Sequence, residues 1–272
     1  DTKLKDESIN NEVDKSYNKI LVELKNELTV KPFNVISYGK KNENDETFEV
    51  YKEDEKYLYI PKFFGINKFG IPKKNKETKG KKVKLKFKGK LRDYQQEIID
   101  ISIKHIDEKD GGLISVGCGK GKTCMGIYLA CHYKVKTLVI VHKSFLLNQW
   151  KDRISQFSNA RIGIIQQKTV DIEDKDIVIG MLQSIAKDKY TPDVFKDFGF
   201  VIFDEAHHAP SKYFSKALPI ISCKKSLALS ATPKRSDRLE KILHWFMGDI
   251  IYKSKIEGNE NVLVKIYKYN LN

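Results

Sequence analysis

Val116-Gly117-Cys118-Gly119-Lys120-Gly121-Lys122-Thr123 stands between an apolar run, Gly112–Val116, and a helical pattern, Lys122–Tyr133. A strand that ends in a glycine-rich turn and restarts as a helix aims backbone N–H groups at one point. The positive end of the helix faces the same point, so the turn is a seat for phosphate oxygens. Gly117, Gly119, Lys120 and Gly121 supply the turn, Lys122 reaches the terminal phosphates, and the Thr123 hydroxyl is placed to ligate magnesium. The general pattern has glycine where Val116 stands. Alone, the stretch would also read as an ordinary glycine turn; its surroundings promote it.

Outward from this loop, apolar strands and helical patterns alternate. Helix Asp93–Ile106 precedes it, and strand Thr137–Val141 and helix Phe145–Phe157 follow. Further strands fit Arg161–Ile165, Asp176–Gly180, Phe200–Phe203, Ser226–Leu229 and Asp249–Lys253, with a last helix at Ser236–Phe246. Such alternation with short joins predicts an α/β fold: a parallel sheet with helices on both faces. Strands leading into the motifs are apolar throughout, as strands buried on both faces should be.

The strand Phe200–Phe203 runs into Asp204 and Glu205. Asp204 is expected to hold magnesium through water, and Glu205 to orient and deprotonate an attacking water, as phosphoryl transfer requires. A strand followed by an acidic helix cap would look the same in isolation. The expectation is that neighbouring parallel strands bring Lys122, Thr123, Asp204 and Glu205 to one sheet edge. Before the loop lies Arg92-Asp93-Tyr94-Gln95. A carboxamide both donates and accepts, so Gln95 can read an adenine edge, although by composition it is an exposed helix residue.

Lys and Arg number 50 against 36 Asp and Glu, a formal charge of +14 that favours polyanionic partners. No apolar run reaches the roughly 20 residues of a membrane span, so no membrane partner is expected. No signal-peptide pattern opens the chain, which begins at Asp1. Cys118, Cys124, Cys131 and Cys223 form no CxxC pair, which suits an intracellular protein with buried thiols.

The first 80 residues read as a small α+β domain. Ile9, Val13, Tyr17, Ile20, Leu21, Leu24 and Leu28 form an apolar helical stripe that Pro32 stops. Thr47–Lys52 and Tyr57–Ile60 read as a hairpin. In Pro61–Gly70, Phe63, Phe64 and Phe69 are interleaved with lysines, either as a packed core or as a platform for bases. Between Lys73 and Lys90 lie ten lysines and a single acid, Glu77. Lys82–Lys88 alternates strictly, predicting a strand with lysines on one face and Val83, Leu85 and Phe87 on the other. Those lysines read either as protection of an exposed edge or as phosphate contacts.

With these pieces in place, Leu91 to about Lys253 resembles a superfamily 2 helicase or translocase of the DEAH type. The residues that carry the likeness are Leu91–Gln95, Val116–Thr123, Thr137–Trp150, Ile177–Ile185, Val201–His208 and Leu227–Arg235. Within that superfamily, Thr137–Trp150, Ile242–Tyr252 and Tyr57–Gly70 resemble the XPB, UvsW and poxviral transcript-release group, including enzymes of large DNA viruses. The resemblance implies a RecA-like P-loop domain over residues 81–253, a linker at 254–272, and ATP with Mg²⁺ as cofactors. It implies nucleic acid as partner, DNA before RNA, and 3′–5′ movement or unwinding. Arg92 and Gln95 would serve the adenine, and Lys143, Ser144, Gln183 and Ser184 the nucleic-acid backbone. Ser230, Thr232 and His207 would couple the two; His207 and His208 also fit as plain helix-start residues. His142 stands where this group usually has proline.

A complete motor of this kind has a second RecA-like domain, for which the sequence after Thr232 is too short. The expectation is therefore an N-terminal portion that turns ATP over very slowly by itself. Three other readings stay open: an RNA helicase or transcript-release ATPase, a nucleic-acid-binding scaffold with a nucleotide switch, and the motor of a restriction system.

Overall fold

The computed structural model describes residues 17–31, 47–187, 190–206, 211–231 and 239–254. Its centre is an eight-stranded sheet. In space the strands run β12 (Ile250–Lys253), β5 (Gly111–Ser115), β11 (Lys225–Ser230), β10 (Phe200–Asp204), β6 (Thr137–Val141), β9 (Ile177–Met181), β7 (Ile162–Gln166) and β8 (Thr169–Asp171). All pairings are parallel except β7 with β8, a short antiparallel turn-back that the sequence pattern did not show.

Strands β5, β6, β9 and β10 are buried along their whole length. Their alternate side chains feed two cores, one on each face. Ile114, Val139, Ile179, Ile202 and Leu229 point to the face covered by α3 (Asp93–Lys109), α4 (Lys122–Tyr133) and α5 (Ser144–Phe157). Leu113, Leu138, Val178, Phe203 and Ala228 point to the face covered by α6 (Leu182–Ile185), α7 (Ser211–Ala217) and α8 (Glu240–Met247). The expected layered α/β architecture is present.

The N-terminal region is pinned to this second face. Residues 17–28 are helical (α1), and Leu24 and Leu28 of the expected stripe are buried, whereas Tyr17 and Ile20 are exposed. Ile9 and Val13 lie outside the described residues. The expected hairpin is shorter and partly re-paired. Only β3 (Lys52–Glu53) meets β4 (Leu58–Tyr59), while β2 (Phe48–Glu49) pairs with β1 (Thr29–Val30) after α1. The Phe-rich stretch forms α2 (Lys62–Phe69), with Phe63 and Phe64 buried and Phe69 exposed. Phe64 meets Trp245 of α8 edge to face at 5.3 Å.

One expectation needs correction. Residues 82–88 are not a laddered strand; they make only the isolated bridges Lys82↔Val135 and Phe87↔Ser158. The segment crosses the N-terminal ends of the strands rather than lying beside one, so its backbone meets a new neighbour every few residues. Thr78 N donates to Ser222 O at 2.9 Å, Lys81 N to Asp197 O at 2.8 Å, Val83 N to Lys134 O at 3.0 Å and Lys88 N to Phe157 O at 2.7 Å. Those acceptors precede β11, β10, β6 and β7 in turn. The alternation itself survives: Leu85 is fully buried, Val83 and Phe87 are half-buried, and Lys82, Lys84, Lys86 and Lys88 are exposed. Where this strap passes the entry to β10, Gly80 (φ 77°) and Gly199 lie backbone against backbone.

Candidate nucleotide site and nucleic-acid track

Because the sheet is parallel, the loops after β5, β6, β9, β10 and β11 share its C-terminal edge. Ser115 pairs with Ser230 and Leu229 with Asp204, so β11 lies between the phosphate loop and the acidic pair. This corrects the expected adjacency. The two loops flank the strand ending in Ser230 and meet only through side chains that reach past it, while Val116 N donates to Ser230 O at 3.1 Å. Val116 itself is buried in the core. At this position the chain needs the backbone for the loop and an apolar side chain for packing, which is why valine serves where glycine is usual.

Gly121 caps α4 with φ 80°, a left-handed conformation that glycine adopts freely. A Cβ there would also collide with the Gln95 side chain. Beyond it, the Lys122 ammonium sits 3.3 Å from Val116 O and 3.4 Å from Glu205 Oε1. Lys122 is 8% exposed, so the loop folds around a cation held ready at its mouth. Glu205 adopts φ 48°, an uncommon conformation for a non-glycine residue and of the kind that clusters at functional sites. Thr123, at the second position of α4, is half-buried.

Asp204 is 4% exposed and accepts two hydrogen bonds, from Trp150 Nε1 at 2.7 Å and from the Glu205 N–H at 3.0 Å. Burial pushes its carboxyl up to about 6; the Trp150 bond pulls it down, the Glu205 charge raises it and Lys122 lowers it. A buried carboxylate beside another acid asks for a cation. The carboxylates of Asp204 and Glu205 are hard oxygen donors, the kind that suits magnesium. Trp150 was quoted in the sequence as the end of a motif but given no role. Gly126 makes room for it, since a Cβ on that helical residue would come within 2.9 Å of the Trp150 ring.

Gln95 is buried, not the exposed helix residue its composition suggested. Its oxygen accepts from Arg92 N at 3.0 Å, closing a box at the start of α3. Its nitrogen donates to Lys120 O at 3.0 Å, and the Tyr94 hydroxyl donates to the same carbonyl at 3.1 Å. Tyr94 thus joins Arg92 and Gln95 in holding the loop, a role the sequence reading missed.

Along the same edge, Lys143 and Ser144 are exposed at the start of α5, next to Phe145, which is 61% exposed. His142 is buried, and its carbonyl accepts from Gln183 Nε2 at 2.7 Å. That bond ties β6 to β9 where proline was expected to shape the exit. Ser184 points inward, accepting from Gln167 N at 2.8 Å, and so stands apart from the exposed Lys143 and Ser144. Ser230 is buried; His207, His208 and Thr232 lie outside the described residues. Cys118 is exposed in the loop and Cys124 is half-buried, so the expectation of buried thiols holds fully only for Cys131 and Cys223.

Residues 88–235 match the family described as the res subunit of type III restriction enzymes. The chain belongs to that family of superfamily 2 helicase domains. It is 40% identical over 251 residues to a protein of Acanthamoeba polyphaga mimivirus described as an ATP-dependent RNA helicase, covering 91% of this chain and 48% of the relative. It is 30% identical over 186 residues to the DNA 3′–5′ translocase XPB2 of Sulfurisphaera tokodaii, covering 68% and 40%. The chain therefore spans about half the length, or less, of these relatives. Among solved structures, the UvsW helicase of bacteriophage T4 aligns over 86% of this chain and 93% of its own, with TM-score 0.57 and 18% identity. The Sulfolobus solfataricus SWI2/SNF2 ATPase core in complex with dsDNA aligns over 62% and 37%, with TM-score 0.52 and 23% identity. In this helicase domain the fold of those neighbours is shared, and ATP is the nucleotide the family implies.

Proposed function

We propose that the chain is the ATP-binding portion of a motor that couples ATP hydrolysis to 3′–5′ movement on, or unwinding of, DNA. One observation carries the reading: Lys122, Glu205 and Asp204 converge around the strand that ends in Ser230, with Lys122 and Glu205 3.4 Å apart. In this arrangement Lys122 is bound to the general base it would have to release. A terminal phosphate competes with Glu205 for the ammonium, which frees Glu205 to orient water and accept its proton. Asp204 and Thr123 would hold Mg²⁺, which supplies neutralisation of phosphate charge. Backbone N–H groups of the loop and the α4 terminus hold the remaining oxygens. Gln95 and Arg92 would fix the adenine side.

The link from Ser230 O to Val116 N makes β11 the physical tie between the nucleotide loop and the segment that follows Ser230. Through it, and through Thr232 and His207, nucleotide state would reach Lys143, Ser144, Gln183 and Ser184. A second RecA-like domain would close the cleft and supply an arginine. Such a finger is worth roughly a thousandfold or more in rate, so this chain alone should hydrolyse ATP very slowly.

The 3′–5′ sense is supported by the archaeal translocase, and a viral source by the viral relatives. Movement on RNA is the second reading, favoured by the description of the mimivirus relative. The test is the ATPase rate of the full-length protein with single-stranded DNA, duplex DNA and RNA, compared with its Lys122→Ala variant. The variant should lose nucleic-acid-stimulated hydrolysis by a factor of a hundred or more, on the order of one lost charge-stabilising contact. Retained stimulation would refute the assignment.

A further inference from the structure

The ten lysines between Lys73 and Lys90 face only Glu77 within that segment, so eighteen residues carry most of the chain's +14. None of this charge takes part in the site above. We infer that the strap over residues 79–90 is a second nucleic-acid-binding surface. It grips the phosphate backbone from the edge of the sheet opposite the nucleotide.

Four features support this. The strap is held in place, because its backbone is hydrogen-bonded to the entries of β10, β6 and β7. Its inner residue Leu85 is 1% exposed, which locks Lys82, Lys84, Lys86 and Lys88 outward in one row. Among the described residues, none of those four makes an ion pair. The row also borders a cleft of about 430 Å³ lined by Lys81, Lys82 and Lys84 together with Arg161 and Lys175, the last two paired with Asp176 and Asp171. Asp174 and Asp176 line the same cleft, but Asp176 is taken up by Arg161, with contacts of 2.9 and 3.0 Å.

Alternate residues of an extended chain repeat at about 6.6–7 Å. Each phosphate of a duplex strand rises about 3.4 Å along the axis but also turns around it, so neighbours on one strand lie about 7 Å apart, close to the repeat of the row. Protection of an exposed edge does not account for these lysines. The strap lies across strand ends and is not an edge strand of the sheet, whose edges are β12 and β8. Central strands of five residues span about 17 Å, so the strap and the C-terminal edge are separated by nearly the thickness of a duplex. The strap would therefore hold a different segment of nucleic acid from the one on the track, and hold it without nucleotide.

The test is binding of a labelled 20-base-pair DNA duplex to the 272-residue chain without nucleotide, across a salt series. The strap variant Lys82→Gln/Lys84→Gln/Lys86→Gln/Lys88→Gln is compared with a control of equal charge, Lys52→Gln/Lys104→Gln/Lys109→Gln/Lys151→Gln, also at exposed positions. The strap variant should weaken binding by tenfold or more at low salt. It should also flatten the salt dependence by about 0.9 in log–log slope for each lost contact. The control should change both far less. Equal losses in the two variants would mean that net charge alone attracts the duplex, and would overturn the proposal. So would an unchanged slope in the strap variant, or loss only of binding to phosphatidylserine vesicles. Repeating the series in a Lys122→Ala background separates this site from the motor reading. The strap effect persists there even if the nucleotide assignment fails.

Discussion

Replacing Trp150 by Phe tests the electrostatics of the nucleotide site with one atom group. The indole N–H, 2.7 Å from Asp204 Oδ2, favours the charged carboxylate, while burial opposes it and holds the group up at about 6. Below about pH 6 folded Asp204 keeps its proton, whereas the unfolded carboxyl loses it near 3.9. Between those values the folded state binds more protons, so stability falls as pH rises through the window, by about 3 kcal/mol in all. In the role proposed for it Asp204 holds magnesium as the carboxylate, so metal-dependent nucleotide binding should switch on as pH rises through the same upper limit. A hydrogen bond to a charged group is worth roughly 1.5–3 kcal/mol, so Trp150→Phe should move that midpoint up by about one to two pH units.

The assay is the affinity of a fluorescent ADP analogue with and without Mg²⁺ from pH 5 to 9, on wild type, Trp150→Phe and Asp204→Asn. Trimming the indole to a phenyl ring also leaves a gap, costing roughly 1–3 kcal/mol of stability. That cost does not depend on pH, so the displaced midpoint separates the electrostatic effect from the packing effect. Asp204→Asn should remove the pH step, and omission of Mg²⁺ should remove it from all three proteins. A folded Trp150→Phe whose midpoint coincides with wild type would refute the reasoning.

Gln95→Ala should lose about 1–2 kcal/mol of stability with its two hydrogen bonds, read by denaturant melts. It should weaken ATP binding about tenfold and narrow any preference for ATP over GTP, read by calorimetry. Gly80→Ala places a Cβ against the backbone of Gly199 at positive φ. It should cost roughly 2–4 kcal/mol and lower Tm by about 5–15 °C while leaving the pH profile of magnesium-dependent binding in place.

The order of layers and the location of the nucleotide loop were legible because each depended on local pattern. Uniformly apolar strands, a glycine turn and the helix after it need no knowledge of distant partners. Which strand lay between Ser115 and Asp204 was not legible, because sheet order is decided by which hydrophobic faces close over one another. Trp150 was invisible as a site residue for the same reason. Its partner is 54 positions away, and only the packing of α5 against Gly126 brings the indole to the carboxylate. Residues 82–88 show the converse case. A period of two correctly assigned the buried and exposed sides, but it reports side-chain alternation and not hydrogen-bond partners. An extended strap and a laddered strand share it.

The strap and the nucleotide loop lie at opposite ends of the same strands, and their physics is complementary. At the N-terminal ends, backbone donors of residues 78–88 are satisfied by the entries to four strands, and neighbouring glycines bring the chains into contact. At the C-terminal ends, Lys122 is shared between a carbonyl and a carboxylate, Asp204 is held near its proton, and Glu205 sits in a rare conformation. Each of these would relax when phosphate and metal arrive. A sheet can keep such unfavourable groups at one edge only if the rest of it is over-determined, and the strap contributes that rigidity where it does not obstruct the cleft. Loosening the strap at Gly80 should therefore lower stability first and nucleotide affinity second. If Gly80→Ala instead lost nucleotide binding with Tm unchanged, the strap would belong to the site itself.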